Sequence, residues 1–335
     1  MIINEDFFDE KNFSDNLNGA LKLRGQINEI VDKICDEGYK DICWLGIGGT
    51  WASALQVEVH MKEKSKIDFF VENAAEYIVT GNKKICEETI IVISSVSGTT
   101  SEMIEALKIA KKHGAKVLGF VDNEKSPLAD MVDWLISYPL NEQLKFFMVA
   151  DRFMFNKGEF DQYEDMYDNF DNNLSNALIE ATFEADEFGK EFAQKHHDDY
   201  LHYFVGAGNQ YGATYSYAMC YWEEQHWIRT KSIRSEEFFH GMFEIVDRDT
   251  NVTVFVGEDS QRPLSERVAK FIPKVCANYT IIDTKDYKLT GIKKEYRQYI
   301  SHLVMRQICS RIDVYIEKLN CHPMDIRRYY RALDY

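Results

Sequence analysis

Short apolar runs alternate with longer amphipathic stretches along this chain, and their order predicts strands alternating with helices. Residues 13–37 carry helical periodicity. Residues 41–45 form a short apolar run that breaks on Gly46-Ile47-Gly48-Gly49-Thr50, and a helical pattern then runs to about Met61. Segments 67–71, 89–94 and 116–121 read as strands, 100–113 as a helix and 129–134 as a short helix. The order then repeats: helix 174–195, strand 200–205 ending in Gly206-Ala207-Gly208, helix 210–227, strand 252–256, helix 264–272, strand 279–282 and a last long helix over 291–317. Gly46 and Gly206 lie 160 positions apart, close to half the chain. The pattern predicts an α/β fold of two tandem doubly wound domains, each a parallel sheet flanked by helices. The first is expected over 1–155 and the second over 174–335, with the acidic, aromatic stretch 140–173 connecting them.

Size and composition agree with two ordinary cores: 335 residues, 45% hydrophobic, with only five prolines. The 21 Phe and 19 Tyr serve either tight packing or aromatic walls of a cleft. The net charge of −16 argues against a nucleic-acid partner, which needs a basic face, and against anionic membranes. It leaves a phosphorylated small molecule open, because backbone N–H groups bind phosphate locally. Met1 to Asp6 carry no basic segment leading into an apolar run, and no apolar run reaches membrane-spanning length, so a cytoplasmic protein is expected. The seven cysteines include no CxxC and read as reduced thiols. No metal site and no cofactor is expected, and His196-His197 reads as a solvated pair in a charged stretch. The glycine turns fit a tight strand-to-helix turn. A dinucleotide reading would need an acidic residue closing the next strand, a place open only to Asp68 or Glu72.

The strongest chemical signal is Ser94-Ser95-Val96-Ser97-Gly98-Thr99-Thr100-Ser101, which follows an apolar strand and opens an amphipathic helix. One hydroxyl, Thr99 or Thr100 with Glu102 nearby, suffices to cap the helix. Six hydroxyl residues within eight positions suggest that the rest serve an anion on the first-turn N–H groups. The repeated half has Gly257-Glu258-Asp259-Ser260-Gln261 at the equivalent place, where two carboxylates would repel phosphate. One phosphate site per chain is therefore expected.

The glycine turn, the Ser-x-Ser-Gly-x-Thr loop and the segment Glu237-Phe238-Phe239-His240-Gly241 together resemble the sugar isomerase (SIS) family, as two SIS domains in tandem over nearly the whole chain. The layout is similar to fructosamine-6-phosphate deglycases and to the isomerase part of glucosamine-6-phosphate synthase. The resemblance implies that Ser95, Ser97 and Thr100 hold a sugar phosphate, with Thr50 and Val96 lining the site. It also implies a catalytic pair, Glu224 and His240, 16 residues apart. Glu224 has Met219, Trp222 and Trp227 around it, and a carboxylate on so apolar a helix is suited to act as a base near neutrality. Glu223 reads as the bland neighbour, and His226 as a surface or interface histidine.

Two departures narrow the implied activity. Tyr221 stands where the synthase has a lysine, and the tail from His322 to Arg331 offers arginines, poor nucleophiles, where the synthase has a lysine that attacks the ketose. Met1 is not followed by Cys, and no glutaminase domain precedes the repeats. The implied function is cleavage of a 6-phosphofructosyl amine, an Amadori product, to glucose 6-phosphate and a free amine. The alternatives are an aldose–ketose isomerase or deaminase of amino-sugar phosphates, and a non-catalytic sugar-phosphate sensor. A homodimer or higher oligomer is implied, with the tail, through His322, contacting substrate or completing a neighbour's site.

Overall fold

The computed structural model describes residues 8–330 and 332–334; Met1, the other first-segment residues 2–7, and Arg331 in the tail lie outside the described residues. The chain divides into two compact units, Lys11–Asp171 and a second built from Asn172 onward together with 8–10, the division falling inside one helix.

The first unit carries α1 (Glu10–Lys22), α2 (Arg24–Glu37), β1 (Asp41–Gly46), α3 (Gly49–Lys64), β2 (Phe69–Asn73), α4 (Ala74–Thr80), β3 (Thr89–Ser95), α5 (Ser101–Lys112), β4 (Lys116–Val121), β5 (Trp134–Ile136), α6 (Glu142–Asn156) and the start of α7 (Tyr163–Glu184). Its five strands are all parallel, in the order β2-β1-β3-β4-β5. β1 and β3 are buried at every position, as strands covered on both faces must be. The strand order reverses between β1 and β3, so the loops leaving these two strands flank the crevice where such sheets take ligands.

The second unit contains α8 (Asp186–His196), β6 (His202–Gly206), α9 (Asn209–Ser216), β7 (Thr230–Arg234), β8 (Asn251–Val256), α10 (Arg262–Phe271), β9 (Tyr279–Asp283) and α11 (Ser301–Asn320). Its four parallel strands run β7-β6-β8-β9, the same order as β2-β1-β3-β4. The duplication extends to backbone detail: Gly48 and Gly208 start α3 and α9 at φ 60° and 62°, a left-handed conformation that glycine adopts without a Cβ penalty.

Some expectations fail for identifiable reasons. Segment 129–134 is a single 3₁₀ turn followed by β5, only three residues long, too short for a periodicity to show. α4, seven residues long, is too short for a helical period to show, and β7, Thr-Lys-Ser-Ile-Arg, has too few apolar residues to stand out. Stretch 140–173 is not merely a connection, because α6 buries ten of its residues and packs on α2 and α3. Lys145 and Asp151 disguise it: Lys145 is 1% exposed with Nζ donating to the Tyr138 carbonyl at 2.7 Å, and Asp151 accepts from the Tyr167 hydroxyl at 2.7 Å.

His196 is also not solvated but 1% exposed. Its Nδ1 and the Nδ1 of His202 both lie 2.8 Å from one oxygen of Asp199, and His202 Nε2 reaches Thr253 Oγ1 at 2.8 Å. These three donors are close enough together to surround an ion, yet they bond one another and tie the end of α8 to β6 and β8. Full burial among Phe192, Phe204 and Trp222 drives the His202 imidazole down to about 4 despite Asp199.

An unfolded chain protonates the same ring near 6.5, so the stability it contributes is present above that pH and is lost as pH falls towards 4. The loss is about 3 kcal/mol when complete. Thermal unfolding followed from pH 7.5 to 4.5 should show a steep fall in Tm for the wild type and a shallower one for His202→Asn; parallel slopes would contradict this.

Candidate functional site

In the first unit, β3 delivers the hydroxyl loop to the crevice. Ser94 and Ser95 are still strand residues and buried, while Val96 is 72% exposed. Ser95 Oγ accepts from the Gly98 N–H at 3.0 Å, and Ser97 Oγ accepts from the Thr99 N–H at 3.3 Å and the Thr99 hydroxyl at 3.1 Å. The loop is thus a chain of Ser-to-backbone turns that fixes its shape. Gly98 sits at φ 66°, and an added Cβ would come within 1.9 Å of buried Ser126 Oγ, so only glycine lets the loop lie this close.

The expected cap on α5 is not made. Thr100 is the N-cap residue, but its side chain bonds no first-turn N–H, and neither Thr99 nor Thr100 supplies the expected capping bond. α3 likewise begins on Gly48 with no side-chain cap. Thr50, in its first turn, spends its hydroxyl on Ile47, accepting from the N–H at 3.2 Å and donating to the carbonyl at 2.9 Å. Two helices therefore start at the crevice with no hydrogen bond from the side chain of the N-cap residue, the electrostatic setting for an anion.

The sequence reading missed the floor of this region. Glu142, after left-handed Leu140 and Asn141, is held protonated to higher pH by burial, against hydrogen bonds from Ser53 and Ser94 and the charge of Lys145. Lys145 lies 3.7 Å from Asp122, and burial lowers its pKa. The only sequence signal was two charged residues beside an apolar helical stripe.

In the second unit the same position is filled by protein. Asp259 accepts from the Asn209 N–H at 3.0 Å, capping α9 from a distant loop, and Glu258 pairs with Arg297 at 2.8 Å.

Glu224 lies at the end of α9's continuation. After Ser216 the helix widens into a π-helix, Tyr217–Glu223, with the Glu224 N–H donating to the Met219 carbonyl and that of His226 to the Tyr221 carbonyl, both spanning five residues. The wider turn rotates the faces read from the sequence. Trp222 is fully buried, and His226 is not a surface residue: it is 5% exposed, with Nε2 3.2 Å from Asp313. Glu224 is not buried among apolar neighbours but 36% exposed, its Oε1 accepting from Arg327 Nε at 2.8 Å. Glu223 has a definite role, accepting from the N–H and hydroxyl of Thr230 at the start of β7.

Both glutamates line a cleft of about 680 Å³ with Trp227, Arg327, Arg328 and Tyr329. His322 packs on Trp227 at a tilt of 45°, ring centroids 4.0 Å apart. His240 is elsewhere, exposed in a 3₁₀ turn beyond the other end of β7. Among the described residues, no hydrogen bond or ion pair joins it to Glu224.

Comparison with known proteins agrees with this architecture. Residues 38–146 match the SIS domain family. The chain is 29% identical over 326 residues to the fructosamine deglycase FrlB of Bacillus subtilis (strain 168), covering 94% of this chain and 99% of that protein. It is 23% identical over 314 residues to the fructoselysine 6-phosphate deglycase of Escherichia coli (strain K12), covering 92% and 89%. The solved structure of a phosphosugar isomerase described as putative, from Bacillus subtilis, superposes with a TM-score of 0.87 at 23% identity, over 97% of this chain and 99% of that one. Residues 38–146 therefore match the SIS domain, the chain shares its fold with that solved structure, and it resembles deglycases over nearly its full length.

Gly98→Ala should destabilise the protein by about 2 kcal/mol or more, through a left-handed φ and a clash with Ser126 together. Gly38→Ala, at φ 86° with nothing within 4 Å, meets only the first penalty and is the control. Equal losses of Tm would show that the close approach under the loop does not matter.

Proposed function

We propose that this chain is a deglycase that cleaves 6-phosphofructosyl amines to glucose 6-phosphate and a free amine. The observation that carries the reading is similarity to deglycases across nearly the whole chain, with an acceptor carboxylate, Glu224, at the mouth of a cleft. The uncapped α3 and α5 starts, with Ser95, Ser97 and Thr100, hold the substrate's phosphate. Thr50 shapes the turn beside them, and exposed Val96 offers an apolar wall.

Glu224 Oε2 has no protein partner among the described residues and takes a proton from C1, next to the C2 carbonyl, giving an enaminol. Reprotonation at C2 gives a C1 imine. Water adds at C1, and the amine leaves with a proton. His240 assists ring opening and acts as general acid. No lysine stands in the tail to attack the ketose, so hydrolysis is favoured over amino transfer.

Glu223, the neighbour of Glu224, bonds Thr230 at the first position of β7, and His240 stands six residues beyond Arg234 at its last, with roughly 16 Å of strand between the two ends. That separation supports a site completed by a second copy of the chain, Glu224 from one and His240 from the other.

Glu224→Gln and His240→Ala should each lower kcat by about 10²–10⁴-fold in an assay of glucose 6-phosphate release. Unfolding and co-refolding the two inactive variants should restore roughly a quarter of wild-type activity if each site draws on two copies. No recovery would place both groups in one chain, and full activity of either variant would remove it from the chemistry. Ser97→Ala should raise KM more than it lowers kcat; a collapse of kcat alone would put the chemistry at the phosphate end.

A further inference from the structure

The cleft at Glu224 carries more positive charge than its acidic groups use. Arg229, Arg327 and Arg328 face Glu223 and Glu224 across it. Arg327 is bound to Glu224 at 2.8 Å, and Arg229 is stacked on Tyr200, with 4.9 Å from guanidinium carbon to ring centroid. Arg328 lies over the Trp227 ring at 4.0 Å and has no carboxylate partner among the described residues.

An unpaired guanidinium standing out into bulk water would be unremarkable in so acidic a chain. This one is held in place by an aromatic face, in the cleft that Glu224 lines and next in sequence to Arg327, which binds Glu224. Trp227 itself is held at φ 61°, left-handed, a conformation that bulky residues take only where surroundings impose it. His322 packs on the same indole at 4.0 Å and fixes it further. Stacking of this kind orients the planar fork of an arginine while leaving its N–H groups free to bind a carboxylate in two places.

We propose that Arg328, oriented by Trp227, binds a carboxylate on the amine half of the substrate, so that the protein selects glycated amines bearing an acid group over neutral ones. The inference rests on the deglycase reading, because the carbon from which Glu224 takes the proton also bears the amine nitrogen. The amine half therefore begins at Glu224 and must extend into the space that Arg327 and Arg328 line.

The test compares 6-phosphofructosylglycine with 6-phosphofructosylmethylamine, which lacks the carboxylate, on the full-length protein. The wild type should favour the glycine adduct by about tenfold or more in kcat/KM, mainly through KM. Arg328→Gln should shrink that ratio towards one, and Arg328→Lys should retain part of it. A wild type that treats both adducts alike, or an Arg328→Gln variant that weakens both equally, overturns the inference and leaves the deglycase reading standing. Release of glucose 6-phosphate from neither adduct overturns the deglycase reading, and this inference with it.

Discussion

Helix N-termini at the crossover of a parallel sheet present amides that need negative charge, and each half of this protein answers that need differently. Both sheets share one strand order, and both glycine turns share one backbone conformation. In the second unit Asp259 supplies the charge from within, at 3.0 Å from the Asn209 amide. In the first, serines and threonines shape the loop without capping either helix. A covalently attached carboxylate is always present and cannot be exchanged, whereas an open amide cradle with hydroxyls can bind and release a ligand. One duplicated scaffold thereby yields two versions of the same turn, one closed by the protein's own carboxylate and one lined by hydroxyls.

The second unit departs from the first in the helix that follows its glycine turn. Extending α9 as a π-helix shifts the side chains after Ser216 relative to a regular helix, burying Trp222 and His226 and leaving Glu224 at the cleft. Buried ion pairs and hydrogen bonds secure what surrounds it. Asp313 meets His226, and Arg311 on α11 reaches Asp186 on α8 at 2.7 Å. Each such charge would be costly without its partner, so the arrangement tolerates little rearrangement. The tail brings arginines to this cleft although the chain as a whole is at −16, a local reversal of sign that favours an anionic group there.

Much of the fold was legible because doubly buried strands read as unbroken apolar runs and the tight turns demand glycine. β1, β3, β4, β6, β8 and β9, both glycine turns and the hydroxyl loop all stand in the sequence as local signals. β5 and β7 did not, since short or polar edge strands take their pairing from a neighbour rather than from their own composition. His196, His202, His226, Lys145 and Asp151 look like surface residues in one dimension. They are buried because a partner arrives from a distant segment, such as Thr253 for His202 and Asp313 for His226.

By itself, then, the amino-acid order determined the class of fold, the duplication and the place of the hydroxyl loop, because each rests on contacts or conformations within a few residues; Glu224 stood out only through the resemblance to the SIS family. Only the tertiary structure decided that Asp259 fills one turn, that Glu224 is paired with Arg327 rather than immersed in apolar side chains, and that His240 lies in a turn beyond the far end of β7. Those outcomes depend on pairs of groups separated by tens of residues or more, and on a π-turn that alters helical phase, neither of which a local pattern encodes.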